Sequence, residues 1–568
     1  MVKGQPMPDH HNKGAAKLFN ICHFLIFLTI FCKFRCYIGK GQKQALIMVR
    51  KCIGYLFLCL SISCARPASF LSSVPRPVYD AHPEYIELYD KAWELAYSNI
   101  DTIPGIPAPV YMDEAHRSDR IWVWDTCLMG LFCKYCPSVF PGIQSLDNFY
   151  GILLSDADVP LPKVIGNKWC GKDEGKMSPL RVQHPDNPPL LAWTEYCYAL
   201  QTGDLTRLER VFSSEKYLQR WYQMFDSFDP SAPRPHGAGV KVKLKKFEDG
   251  YAWGGNQSGM DNTPRGRTSP DPTPRDRCPD NPDLRWVDAL ALQGLSALCM
   301  SRIAGLLGDQ SEQKYWQDVH SALSEKLNTL YWDEEDGFYY DCFTGGEKCR
   351  VKTIASWWPV LAEMTGQERA GRMADHLRDS LEFGGSMPTP SLSRNDVDFI
   401  PDGGYWRGSI WLPTTYMALK ATDSSGEYDL ARSIASSLLE HMYKTYVSFD
   451  PHTIWECYSP TEHEPARNKQ GELVRPDFCG WSALGPISIF IEDVIGIKEA
   501  NAFDNTLACA FDKHPEGRVG VRNYRFGDIV CSIIATDKKI KVTTNKPFTL
   551  ITDGRNIEVP AGKSTIRR

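Results

Sequence analysis

Apolar residues recur at helical spacing through most of this chain. The stretches 82–100, 122–136, 188–201, 205–225, 283–308 and 311–332 each gather them on one helical face. So do 353–365, 367–379, 406–422, 426–447 and 480–496. The pattern predicts about eleven helices of roughly 10–25 residues. Their connections alternate between short, as at 308–313, and long, as at 227–280. That alternation predicts helical hairpins with tight turns at one end and long loops at the other. Six hairpins closed into a ring would form an all-α catalytic domain, an (α/α)6 toroid over 66–497. The lack of a constant repeat period argues against an open solenoid. After about residue 500 the pattern turns to apolar and polar alternation dense in Val, Ile and Thr. It predicts four to six short strands in a small C-terminal β appendage, 498–568.

Residues 1–65 follow neither pattern. "FNICHFLIFLTIFC" and "CIGYLFLCLSISC" are apolar runs with basic flanks. The second follows "MVRK" and ends at Cys64 and "ARPAS", the layout of a bacterial export signal. Cys64 would then be the lipidated N-terminus of a membrane-anchored lipoprotein, with Ser61 where Leu is usual. Cleavage after Ala65 would instead leave a periplasmic or secreted protein. Met48 becomes the expected start and 1–47 an upstream extension. The run at 18–32 is short for a membrane crossing.

Composition narrows the partners. The chain has 16 Trp, 25 Tyr and 25 Phe, a surplus that either lines clefts or fills cores. The net charge is −5, and without residues 1–64 the remaining 55 basic and 68 acidic groups give about −13. No basic stripe crosses the body, so nucleic acid is not an expected partner. An acidic, exported body suits a neutral substrate. Six of the 19 Cys lie in the first 64 residues, and the odd number left over argues against a complete disulfide framework. Cys342 and Cys349 flank the turn "CFTGGEKC" and form a candidate pair; Cys127, Cys133 and Cys197 read as buried thiols. Nothing in the pattern fixes an oligomeric state.

The candidate chemistry is carboxylate chemistry. GxSxG, P-loop, HExxH and dinucleotide signatures are absent, and the 13 His are dispersed, so neither a metal nor a cofactor is expected. Four segments combine indoles, charge and glycine. "RIWVWDTCLMG" holds Trp124 and Asp125; "YAWGGNQSGMDNTPRG" holds Trp253, Asp261 and Asn262. "PDGGYWRGSIWLPT" holds Tyr405, Trp406, Arg407 and Trp411; the segment 453–486 holds Glu456, Tyr458 and Trp481. Singly, Asp125 reads as a helix cap and Asp261 as a turn residue. Jointly, the four fall at the long-loop ends of the hairpins. Indoles stack on sugar rings and carboxylates bind hydroxyls. Glycosidic hydrolysis needs one carboxyl to protonate the leaving oxygen and one on the opposite face. Asp261 and Glu456 are the natural pair.

These segments resemble the ordered signatures of glycoside hydrolase family 63 and its trehalase-like cousins. The resemblance rests on "VWDT", "SGMDNTPRG", "GGYWRGSIW", "WECYSP" and "RPDFCGWSALGP", and spans roughly 80–497. It implies an (α/α)6 six-hairpin glycosidase with an inverting mechanism, acting on an oligosaccharide or small glycoside with a glucosyl- or mannosyl-type α-linkage. It places Asp261 as general acid and Glu456 as general base. Trp124 and Asp125 fall on the element that holds the sugar at the cleavage subsite, with Trp406, Arg407 and Trp481 on further matched elements. Gln257, Met260, Cys457 and Ser409 depart from the family pattern; Met260 replaces a Trp beside the acid, which bears on substrate identity. The implied mechanism has Asp261, buried among indoles near Glu456, protonated at neutral pH, with Arg407 and Asp125 orienting ring hydroxyls. Two other readings stay open: a lyase or epimerase on the same toroid, and a non-catalytic glycan-binding lipoprotein.

Overall fold

A computed structural model describes residues 70–568, apart from 116–119, 155–162, 166–167, 171–179, 228–243 and 280. Both apolar runs of the leader, Cys64 and Met48 lie outside the described residues. Residues Leu71–Arg568 pack as one compact unit.

The long helices are α1 (Tyr85–Ser98), α2 (Val123–Cys133), α3 (Gly142–Leu153), α4 (Leu191–Thr202), α5 (Tyr217–Asp226), α6 (Val287–Leu306), α7 (Gln310–Leu330), α8 (Gln367–Arg378), α9 (Leu412–Ser424) and α10 (Tyr428–Ser448). Consecutive helices pair: α2 packs on α3, α6 on α7 and α9 on α10. They also sort into two kinds. Helix α2 is buried all round, and α6 and α9 nearly so, whereas α7 buries only Trp316, His320 and Leu327. The all-apolar helices are interior and the amphipathic ones face solvent on one side. Short turns join the pairs. Between α6 and α7 the Asp309 carboxylate accepts from the Glu312 backbone N–H, capping α7.

Several predicted helices are shorter or broken. The stretch 205–225 splits at Lys216, whose φ is +52°. At 353–365 only Ile354–Trp357 and Trp358–Leu361 wind, each a single turn. Helix α9 begins at Leu412 with Pro413 in its first turn, so Trp406–Trp411 is loop. The last predicted helix is a tight turn, Trp481–Leu484, followed by wide-turned α11, Gly485–Ile495, with Pro486 at its start.

The tail forms two sheets, with more strands than expected. Strands β1 (Arg76–Tyr79), β2 (Ile497–Asn501), β3 (Thr506–Cys509), β4 (Val519–Phe526), β5 (Ile529–Ala535), β6 (Lys539–Thr544), β7 (Phe548–Thr552), β8 (Arg555–Val559) and β9 (Gly562–Arg567) make them. One sheet runs β1-β4-β5-β6-β9, the other β2-β3-β7-β8. Strand β1, from the start of the described chain, pairs antiparallel with β4, Arg76 opposite Arg522.

Cys342 and Cys349 are free thiols, not a disulfide. In their hairpin Cys349 stands opposite Asp341 and Cys342 opposite Lys348. One register step separates them, so their side chains leave opposite faces of the ribbon. Cys133 and Cys136 have the two-residue spacing of a redox or metal pair, but both are buried and unpaired.

Candidate active site

The glycine-rich loop places Asp261 by close backbone approach. Gly255–Ser258 make one helical turn, closed by Gly259 at φ +78°. A Cβ on Gly259 would lie 2.2 Å from the Trp124 ring, and one on Gly255 would lie 2.3 Å from the Asp261 carbonyl oxygen. Only glycine lets this loop lie against the indole. Beyond it the loop is anchored by Arg265, which is buried, ion-paired to Asp288 and Asp341 at 2.6 Å, and stacked on Trp286. Asp261 itself is not sealed among indoles. Its side chain is 28% exposed and faces the Lys469 ammonium at 3.4 Å.

Tyr405 leads the second wall. It sits at φ +68°, a strained conformation for a bulky residue. Its hydroxyl donates to Glu456 Oε1 at 3.0 Å. Next to it Trp406 and Trp411 stack with ring centroids 4.1 Å apart and planes parallel within 1°.

Glu456 lies on a loop that is bonded to the 475–478 segment. Its backbone N–H donates to the Arg475 carbonyl, and the Arg475 N–H returns to Glu456 Oε2 at 3.4 Å. Burial pushes its carboxyl above the usual range; the Arg475 charge and the Tyr405 bond oppose this, and the Asp261 charge adds to it. Asp125, in the first turn of α2, is pushed up to about 8, chiefly by burial. Its own backbone N–H opposes the rise, and the charges of Glu456 and Asp261 reinforce it. Beneath it, buried Glu114 accepts from the Trp122 N–H at 3.0 Å and the Thr126 hydroxyl at 2.9 Å. Burial and then the neighbouring Asp113 and Asp125 charges drive Glu114 well up. His184, at φ +45°, is lowered by burial against the pull of the Asp261 charge.

The structure therefore brings Trp124, Asp125, Asp261, Tyr405, Trp406, Glu456 and Trp481 together. Trp124 lies 6.1 Å from Trp406 and 5.0 Å from Trp481, ring centre to ring centre. Four predicted ligand contacts belong to the scaffold instead. Arg407 is fully buried and its guanidinium is spent internally, on Asp398 at 2.6 Å and on the Asn262, Pro274 and Arg277 carbonyls. It cannot also orient sugar hydroxyls. Asn262 donates to the Arg275 and Gly404 carbonyls and accepts from the Trp406 N–H, tying the two loops together. Trp253 packs on Phe225 and Trp286 and donates to the Asp186 carbonyl. Tyr458 is buried, its hydroxyl accepting from the Trp455 N–H and its ring edge-on to His441. Met260 is also buried. The sequence pattern does not single out Glu114, His184, Lys469 or Arg475, although Lys469 stands beside a glycine turn after "WECYSP" and Arg475 opens "RPDFCGWSALGP".

Among the described residues no cluster of three or more His, Cys, Asp or Glu is placed to hold a metal ion. A cavity of about 560 Å³ opens elsewhere, between the 134–138 turn, the end of α4 and β4, and none of the candidate residues lines it.

Carboxyl groups walled by indoles on a body of paired helices are the equipment of a glycoside hydrolase, and comparison with known proteins shows that class. Residues 184–473 match the mannosylglycerate hydrolase MGH1-like glycoside hydrolase domain, and the chain belongs to that family. An uncharacterised protein of Borreliella burgdorferi is 26% identical over 429 residues, 74% of this chain and 81% of that protein. A probable mannosyl-oligosaccharide glucosidase of Schizosaccharomyces pombe is 23% identical over 68% of this chain, which spans 50% of that relative. The crystal structure of the GH63 mannosylglycerate hydrolase from Thermus thermophilus with glucose shares the fold, with a TM-score of 0.51 at 18% identity, covering 71% of this chain and 99% of that one.

Proposed function

We propose that this chain is an inverting α-glycosidase that cleaves a glucosyl- or mannosyl-type bond in an oligosaccharide or small glycoside. The observation that carries the reading is the setting of Glu456, a buried carboxylate gripped by Tyr405 and Arg475 within electrostatic reach of Asp261 and Asp125. Asp261, the more exposed, is the proton donor to the leaving oxygen; Glu456 activates water on the opposite face. Inversion needs about 6.5–9.5 Å between the two carboxyls, room for that water. Asp125, neutral below about 8, donates a hydrogen bond to a ring hydroxyl. The split between interior and amphipathic helices supports an (α/α)6 arrangement with this site at the long-loop end.

The test is NMR detection of the first anomer released from aryl α-glucosides and α-mannosides. Inverted product is expected, with Asp261→Asn and Glu456→Gln each lowering kcat by about 10²–10⁴-fold. Retained configuration, or variants as active as the parent, would discard the assignment. The layout of residues 48–65 supports export with lipidation at Cys64, which the mass of the mature N-terminal peptide would show.

A further inference from the structure

The outer face of the five-stranded sheet carries a row of cations. Strand register sets Lys539, Lys541 and Thr543 of β6 opposite Arg567, Thr565 and Lys563 of β9. All six are exposed, while Ile540 and Val542 between them are buried. Among the described residues Lys539, Lys541, Lys563 and Arg567 have no ion-pair partner. Lys539 faces Arg567 directly, a like-charge pair that costs stability. Lysines on an edge strand guard against stray pairing, which would account for β9. Strand β6 is interior, paired on both sides, so that reason fails for Lys539 and Lys541.

Two further observations point to the occupant. The chain as a whole is acidic, at −5, yet residues 497–568 hold thirteen Lys and Arg against eight Asp and Glu. Outside the leader, the positive charge is thus concentrated in this region. The opposite edge of the same sheet is β1, where the chain enters after the apolar run 52–64. Only residues 65–69 separate that run from Phe70, which is buried in the body together with Val74. A cationic sheet face in a chain whose apolar segment lies a few residues before the folded body suits an anionic bilayer surface.

We propose that this face docks on anionic phospholipid headgroups. The lipid-anchor reading supplies only the tether; the cations act whether or not Cys64 is acylated. Each Lys or Arg near an anionic bilayer contributes about 5-fold in binding.

The test is sedimentation of the full chain with vesicles of phosphatidylcholine alone or mixed with phosphatidylglycerol. The leader carries nine Lys and Arg against one Asp and adds its own share of any increment from phosphatidylglycerol, so the sheet face is reported by the part of the increment that the sheet variants remove. The increment should fall as salt rises. In the quadruple variant Lys539→Glu, Lys541→Glu, Lys563→Glu, Arg567→Glu it should fall to what the leader's own cations sustain. A Lys539→Gln, Lys541→Gln double variant, which also removes the like-charge contact, should lose about 25-fold and keep its fold by thermal melting. No increment, or one unchanged in the folded double variant, would overturn the proposal. So would charge-dependent binding to an acidic polysaccharide without any phosphatidylglycerol increment. Equal binding to both vesicles would support the leader as anchor while refuting the docking face, so the two readings fail separately.

Discussion

Asp125 shows how this site trades stability for function. Its carboxyl is forced up to about 8 by burial beside two other carboxylates. A folded-state value above the unfolded one means that the native protein binds more protons through that interval. Stability from this residue is full below about 3.9 and declines as pH rises towards 8. Asp125→Asn removes the titration and keeps the shape. It should raise the thermal midpoint at pH 8 by about 1–3 °C and flatten its decline between pH 5 and 8. Activity should drop, because the amide N–H is a weaker hydrogen-bond donor than the acid O–H. A melting series across pH checks both signs. Glu456 has the same cause with a different consequence. Its carboxyl is raised by burial, so the acid limb of kcat/KM should lie above the ordinary carboxylate range; a limb at or below that range would contradict the role assigned to it.

At the scale of elements, the site is made by loops that scaffold one another. Asn262 bridges the acid loop to the 402–407 loop, Arg407 ties that loop to 274–277, and Tyr405 reaches Glu456 on a third. Gly259 is the tightest point. Alanine there would be strained at φ +78° and would drive a methyl into Trp124. Gly259→Ala should cost about 1–3 kcal/mol and lower kcat more than it raises KM, since it displaces both Asp261 and the indole. A variant with parental kinetics would show that the loop does not position the acid. The indoles and carboxylates were legible as types in their segments. Their division of labour was not: Arg407, Asn262, Trp253 and Tyr458 sit in the same motifs as Asp261 and Glu456, and only their hydrogen-bond partners assign them to the scaffold.

For the whole molecule, the tail is bound to the first described strand and to the end of α4. Strand β1 adds to the tail sheet, the Gly527 N–H donates to the Gln201 carbonyl at 2.9 Å, and the Tyr524 hydroxyl donates to the Gln201 side chain at 3.1 Å. Lys498, at the head of the tail, pairs with buried Asp493 at 2.6 Å and with Asp423. A chain ended at Gly496 should therefore lose cooperative melting, not merely an accessory; a sharp parental transition in the truncated protein would show the tail to be dispensable. Local periodicity determined the helices, the strand-rich tail and the segments that carry chemistry, because those signals are written in neighbouring residues. Position 216, the turns after 353 and the loop at 406–411 escaped it, since backbone strain and proline placement outweigh apolar spacing there. What only the tertiary structure decided was pairing at long range: β1 in the tail sheet, Lys469 over Asp261, and the burial that raises Asp125 and Glu456. Such contacts depend on which surfaces exclude water together, a property of the packed molecule that no single stretch of sequence contains.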